Sequence, residues 1–138
     1  MDNQGKRDKT SKGIISGRMT TSYKKVEVRL SFISFKDSGC QIIYCPALDL
    51  SGYGKTKEEA KSSFEIVLEE FLKYTIHKGT LVKDLEALGW KRSGSKAKGI
   101  MTPPEISSLL DTNDDFREIF DNHQFTKSDA NVPMPAFC

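Results

Sequence analysis

The chain has 138 residues, of which 29% are charged and 37% are hydrophobic, and its formal net charge is +2. This length and composition are typical of a globular domain that buries a core without disulfides or metals to stabilise it. No apolar run approaches the roughly 20 residues of a membrane-spanning helix, and the polar N-terminus lacks the apolar core of a signal peptide, so we expect a cytoplasmic protein.

The basic excess lies at the start of the chain. Residues 1–22 carry five basic and two acidic side chains and few apolar ones, which predicts a disordered basic tail. Such a tail could contact nucleic acid, but solubility explains its charge as well. Three cysteines, Cys40, Cys45 and Cys138, are odd in number and lack CxxC spacing. The sequence therefore predicts neither a disulfide framework nor a zinc site.

The first structured element is predicted to be a β-hairpin. Residues 24–35 alternate between apolar and polar side chains, which indicates a strand. Its apolar face consists of Val26, Val28, Leu30 and Phe32. Residues 36–39 supply turn chemistry, with Gly39 able to adopt a positive φ. A second strand, residues 40–45, is rich in β-forming residues and is stopped by Pro46.

A short third strand, residues 50–54, is followed by the main helix. Gly52 and Gly54 occupy alternate positions of this strand, which suggests a close backbone approach or a bent edge. Thr56 and Glu59 form a capping box at the start of the helix. The helix should end near residue 76 or 77, with Gly79 as its stop. Its apolar stripe consists of Ala60, Phe64, Val67, Leu68, Phe71 and Leu72.

The rest of the chain is predicted to hold small elements. We expect a short helix at 81–88, a flexible linker at 91–99, a helix that begins around the two prolines at 102–105, and another helix at 114–120. Two prolines after residue 125 exclude a central strand there but allow an edge strand or an extended arm. The sequence predicts an α+β fold, one small antiparallel sheet with one main helix on one face, plus short C-terminal helices. Its parts would be a tail (1–22), an α+β domain (23–90), the linker and a C-terminal extension (100–138).

Catalytic chemistry is hard to find in this sequence. His77 and His123 have no companions at metal-ligand spacing, and the carboxylates follow helix-capping and solvation patterns. No GxSxG, HExxH, P-loop or GxGxxG motif is present. We therefore expect a binding protein without catalytic residues, cofactor or metal. Tyr44 and Tyr53 are the candidate partner-binding residues, since tyrosine is enriched at interfaces. The alternative, that both tyrosines complete the core and its rim, stays open.

Residues 39–76 contain, in order, a Pro-x-Leu segment, a glycine pair, a threonine and a Glu-Glu-Ala run before an amphipathic helix. The residues of this pattern are Cys45, Pro46, Leu48, Gly52, Gly54, Thr56, Glu59 and Ala60. Their order and spacing resemble those of the HicB-like antitoxin family. The resemblance implies a truncated RNase H-like fold without nuclease residues, commonly in a homo-oligomer. It also implies a protein partner, a HicA-like mRNA interferase that the antitoxin neutralises.

Many members of that family add a C-terminal DNA-binding unit, but the region after Gly79 looks like neither a helix-turn-helix nor a ribbon-helix-helix. The sequence thus contains no clear DNA-binding motif, and whether the chain binds operator DNA stays open. The alternative function is a solitary HicB-like oligomeric domain that serves regulation or scaffolding without a toxin. A third interpretation, a metal-dependent nuclease on an RNase H-like topology, conflicts with the lack of converging carboxylates.

Overall fold

The sheet and its helices are seen in a computed structural model that describes residues 25–93 and 100–135. In chain order the elements are β1 (Lys25–Asp37), β2 (Cys40–Cys45), β3 (Leu50–Gly54), α1 (Lys57–Lys78), α2 (Leu81–Ala87), β4 (Lys91–Ser93), β5 (Ile100–Thr102), α3 (Ile106–Thr112), α4 (Asp114–Asn122) and β6 (Phe125–Pro135). Four strands form an antiparallel sheet in the order β3-β2-β1-β6, while β4 pairs with β5. The predicted α+β class, with one antiparallel sheet and one main helix, is confirmed.

The hairpin between β1 and β2 is tighter than predicted. Both strands extend to a two-residue turn, in which Ser38 has a φ of 53° and Gly39 a φ of 81°. Positive φ at both central residues is the geometry whose twist matches that of the flanking strands. The predicted positive φ at Gly39 is confirmed, and β1 runs two residues beyond its predicted end.

Helix α1 forms where its caps and periodicity place it. The Thr56 Oγ1 atom accepts a hydrogen bond from the Glu59 amide, and Gly79 ends the helix in the left-handed conformation. A buried stripe at intervals of four residues packs onto the sheet, and the Phe64 ring meets the Phe32 ring edge to face at 5.4 Å. This stripe consists of Ala60, Phe64, Leu68 and Leu72. It anchors α1 to one face of the sheet.

The opposite face of the sheet, called the second face below, is also partly covered. Ile33 and Phe35 point to this face because they alternate with Phe32, and both are buried. Helix α4 and the residue after it supply the cover, since the Phe116 ring lies 6.3 Å from the Tyr44 ring and the His123 ring 5.0 Å from the Phe35 ring. The short C-terminal helices therefore complete the core.

The last strand belongs to the same sheet as the first. β6 pairs with β1 along all of its 11 residues, from Phe125 opposite Phe35 to Pro135 opposite Lys25. Among the described strands it lies at the edge of the sheet, which is the placement that its prolines allow. One sheet thus draws strands from both the predicted 23–90 domain and the predicted 100–138 extension. The predicted tail at 1–22 lies outside the described residues.

Two boundaries differ from those expected. Lys91–Ser93 is a strand paired with Ile100–Thr102, not the start of a linker, and the remainder of that linker, residues 94–99, lies outside the described residues. Three-residue strands are too short to show a periodicity, so the sequence pattern missed this ribbon. Helix α3 begins after both prolines, at Ile106, because Glu105 takes the extended N-cap conformation.

Candidate functional site

The residues that carry the family resemblance build the turn between β2 and β3 and the start of α1. After β2, the Cys45 carbonyl accepts hydrogen bonds from the amides of Leu48 and Asp49 at 3.2 and 2.8 Å. Cys45, Pro46 and Leu48 are all buried. Burial raises the pKa of the Cys45 thiol to about 12. This thiol is therefore an uncharged core group at neutral pH.

The two glycines of β3 face the chain's own helix. A Cβ atom on Gly52 would lie 2.4 Å from the Phe64 amide nitrogen, and one on Gly54 would lie 2.6 Å from the Ala60 amide nitrogen. The close backbone approach expected from these glycines is thus present, but the approaching element is α1. The space beside these two glycines is therefore filled by α1 and is not open to the backbone of a partner.

The residues that cap the N-terminus of α1 also bind the backbone directly after β3. Thr56 caps the Glu59 amide at 3.1 Å, and the Glu59 Oε1 atom accepts a hydrogen bond from the Lys55 amide at 2.8 Å. The reciprocal bond of the predicted capping box therefore goes to Lys55, one residue before Thr56. All eight motif residues thus stabilise the packing of β2, β3 and α1, and a binding surface has to be formed by other residues.

Tyr44 is a core residue. Its side chain is 4% exposed; its hydroxyl donates to the Asp49 carboxylate at 2.6 Å and accepts from the Asn113 side-chain amide at 2.8 Å. Burial and the bond to Asp49 raise the pKa of this phenol. Its predicted role as an exposed partner-binding residue is corrected, because the start of α4 packs over the ring.

Tyr53, the other candidate, is exposed. It lies on the second face, opposite Ile42, and its side chain is 59% exposed. Across the sheet, Ile42 is opposite Phe35, and Phe35 is opposite Phe125. The four side chains thus form one row across the four strands. At the far end of the row, the ring of Phe120 contacts Phe125 at 5.5 Å and is 42% exposed.

Helices α3 and α4, the second of which carries Phe120, are strongly acidic. Residues 105–122 hold six carboxylates and one arginine, a net charge of −5, and all seven side chains are exposed. Arg117 pairs with Asp121 within α4 at 3.2 Å. We define the acidic aromatic surface as Tyr53, Phe120 and the α4 carboxylates Asp114, Asp115, Glu118 and Asp121. Sequence reasoning missed it because α4 begins 61 residues after Tyr53 in the chain.

Other kinds of site find little support in the part of the chain that the structure describes. In residues 25–93 and 100–135, no three His, Cys, Asp or Glu side chains come together as a metal site would require. Among those same residues, none of the helices combines the length and apolar character needed to cross a membrane. Comparisons with protein-family models, curated proteins and solved structures give no significant match.

Proposed function

We propose that the protein is a HicB-like antitoxin, a non-catalytic protein that binds and neutralises a small HicA-type mRNA interferase. The observation that carries the proposal is the acidic aromatic surface, in which the acidic helix α4, with its exposed Phe120, and the exposed Tyr53 lie on the same face of the sheet. The HicB-like resemblance of residues 39–76 supplies the partner class.

The chemistry of such a partner fits this surface. An enzyme that binds RNA needs a basic surface because RNA is a polyanion. An acidic helix on the inhibitor attracts that surface and speeds association. Exposed aromatic side chains beside it supply the buried contact area that dominates binding free energy at interfaces. The inhibitor therefore competes with RNA for the same basic side chains of the interferase.

The proposal requires an interferase in the adjacent reading frame, recognisable as a short basic protein with a Gly-Ser-His motif, and binding to that protein tests the proposal. Calorimetric titration should give an affinity that Tyr53→Ala weakens at least about tenfold. Tyr74→Ala is the matched control, since Tyr74 is 62% exposed but lies on α1, on the other side of the sheet. Equal affinities for the two folded variants would refute the role of the surface.

The charge of α4 makes a separate prediction. Neutralising Asp115 and Glu118 together, as Asp115→Asn and Glu118→Gln, should slow association and reduce its dependence on salt. Neutralising Glu69 and Glu70 on α1 in the same way removes equal charge from the other side of the molecule. An identical loss in both double variants would show that net charge acts, not the surface.

The non-catalytic part of the proposal has its own assay. The purified protein should leave RNA and DNA intact with or without magnesium or manganese. Metal-dependent cleavage that survives repurification and is abolished by Asp37→Asn or Glu65→Gln would instead support the nuclease alternative. A folded oligomer with no interferase in the adjacent frame would support the solitary regulatory domain.

A further inference from the structure

The two outer strands of the described sheet, β3 and β6, differ in whether their outward-pointing backbone amides have hydrogen-bond partners. At the β3 edge, the Tyr53 amide donates to the Ser63 hydroxyl at 3.1 Å, and the Lys55 amide donates to Glu59 at 2.8 Å. Side chains of α1 thus occupy donors that a further strand would need. A covered edge of this kind does not accept another strand.

The direction of the β6 amides follows from its prolines. Pro133 and Pro135 lie opposite Glu27 and Lys25, and a proline has no N–H to donate to the ladder. The odd-numbered residues of β6 are therefore those whose backbone groups point away from β1. The hairpin turn gives the same result. A two-residue turn closes on a hydrogen-bonded pair, here Asp37 with Cys40, so the odd-numbered residues of β1 bond to β2 and the even-numbered ones to β6. The even-numbered residues of β1 lie opposite even-numbered residues of β6, which leaves the odd-numbered residues of β6 pointing outward.

Four amides consequently point outward along the edge of β6. They belong to Phe125, Lys127, Asp129 and Asn131. Within the described part of the chain, none of the four has a hydrogen-bond acceptor. Among the described residues, therefore, nothing pairs with this edge, unlike the β3 edge, and its row of donors and acceptors is a template for an added strand.

The side chains along this edge are complementary to themselves. If two copies pair antiparallel about a two-fold axis at Ser128, Lys127 of each copy lies opposite Asp129 of the other, and Phe125 lies opposite Asn131. The backbone N–H and C=O groups of these residues all point away from β1. Each pair of lysine and aspartate would therefore also be a hydrogen-bonded pair of the ladder between the two copies. On the α1 side of the sheet, Thr126 would face Ala130, and two serines would meet at the axis. The pairing stops at Pro133, where the next outward amide is missing.

We propose that β6 is a self-association edge, through which two copies of this chain join their sheets into one antiparallel sheet of eight strands. Lysine on an edge strand otherwise protects against pairing, but here lysine and aspartate alternate at the spacing that a two-fold axis exchanges. Lys127 already contacts Asp129 of its own chain at 3.0 Å, and both side chains remain partly exposed. Each lysine can therefore turn to the aspartate of the second copy. This association is independent of the proposed antitoxin function.

Proline substitutions test the direction of the edge. By sedimentation velocity, the full chain should show a concentration-dependent dimer. Lys127→Pro removes an outward amide and should give a folded monomer, whereas Ser128→Pro removes an inward amide and should lower the melting temperature. A wild-type chain that stays monomeric at high concentration, or a Lys127→Pro variant that dimerises as the wild type does, overturns the proposal.

A charge exchange tests the register without changing the backbone. Lys127→Asp places two aspartates opposite each other at two symmetric positions and should weaken the dimer about tenfold or more. Adding Asp129→Lys restores opposite charges in the same register and should recover association. An unchanged dimer in Lys127→Asp, or no recovery in the double variant when its melt shows a folded chain, overturns the register.

Discussion

The contact between β3 and α1 predicts that one added methyl group at Gly52 is costly. The new Cβ atom would lie 2.4 Å from the Phe64 nitrogen, 2.5 Å from the Ala60 oxygen and 2.7 Å from the Phe64 Cα atom. All three are backbone atoms in a helix of 22 residues, so no side-chain rotation relieves the overlap. Ordinary contact begins at 3.4 Å, so the helix must retreat by about 1 Å.

The loss of unfolding free energy caused by moving α1 away from β3 can be estimated. A gap of about 1 Å forfeits roughly half of the dispersion energy of each contact that it opens, and Phe64 is fully buried against Phe32. Because overpacking alone costs about 1–3 kcal/mol, we expect Gly52→Ala to lose about 3 kcal/mol of unfolding free energy. In urea, this loss lowers the midpoint by more than about 1 M. The buried Trp90 provides the fluorescence signal.

Gly39→Ala is the control for this experiment. It places a methyl group at a φ of 81° with no atom within 4 Å, so its expected cost is the conformational term alone, about 1–2 kcal/mol. If Gly52→Ala shifts the urea midpoint no further than Gly39→Ala does, α1 does not pack directly on β3. The explanation given for the glycine pair would then be refuted.

Three further predictions concern single side chains. Tyr44→Phe leaves the Asn113 amide without its acceptor and should lower the unfolding free energy by about 1–3 kcal/mol in urea titration. A thiol reagent at pH 8 should label Cys40 in the native protein, and Cys45 only after denaturation, because burial raises the Cys45 pKa to about 12; peptide mass mapping identifies the site. Hydrogen bonds from a serine hydroxyl and a lysine ammonium lower the pKa of Asp129, so its carboxylate stabilises the fold above its unfolded pKa and ceases to do so as the pH falls through the folded value. In Asp129→Asn, the melting temperature should therefore fall less steeply with decreasing pH below about pH 4 than in the parent protein. An equally steep fall in both proteins would contradict this.

Local sequence signals were sufficient for the hairpin and for α1. A capping threonine, an apolar residue at every fourth position and a glycine stop act within one helix, so their effect is visible in the sequence. Alternation and turn residues did the same for β1 and β2. These elements form as predicted because the local preferences agree with the tertiary packing.

The cover of the second face depends on contacts that no local pattern contains. By pattern alone, Tyr44 and Tyr53 are equivalent strand tyrosines, and only the position of α4 distinguishes them. The Asn113 that contacts Tyr44 is 69 residues away in the chain. One signal was present, since Phe32, Ile33 and Phe35 place apolar side chains on both faces of β1, as expected for a strand buried on both sides.

The pairing of β1 with β6 also sets the order of events when the protein is made. Ser31 and Asp129, which hydrogen-bond across the two strands, are 98 residues apart. A ribosome therefore releases β1 long before it has polymerised the strand that completes it, and during that interval the nascent β1 keeps an uncovered apolar face and unpaired amides. Because so distant a closure is slow, the meeting of these two strands, and not the formation of α1, should limit how soon after synthesis the sheet is complete.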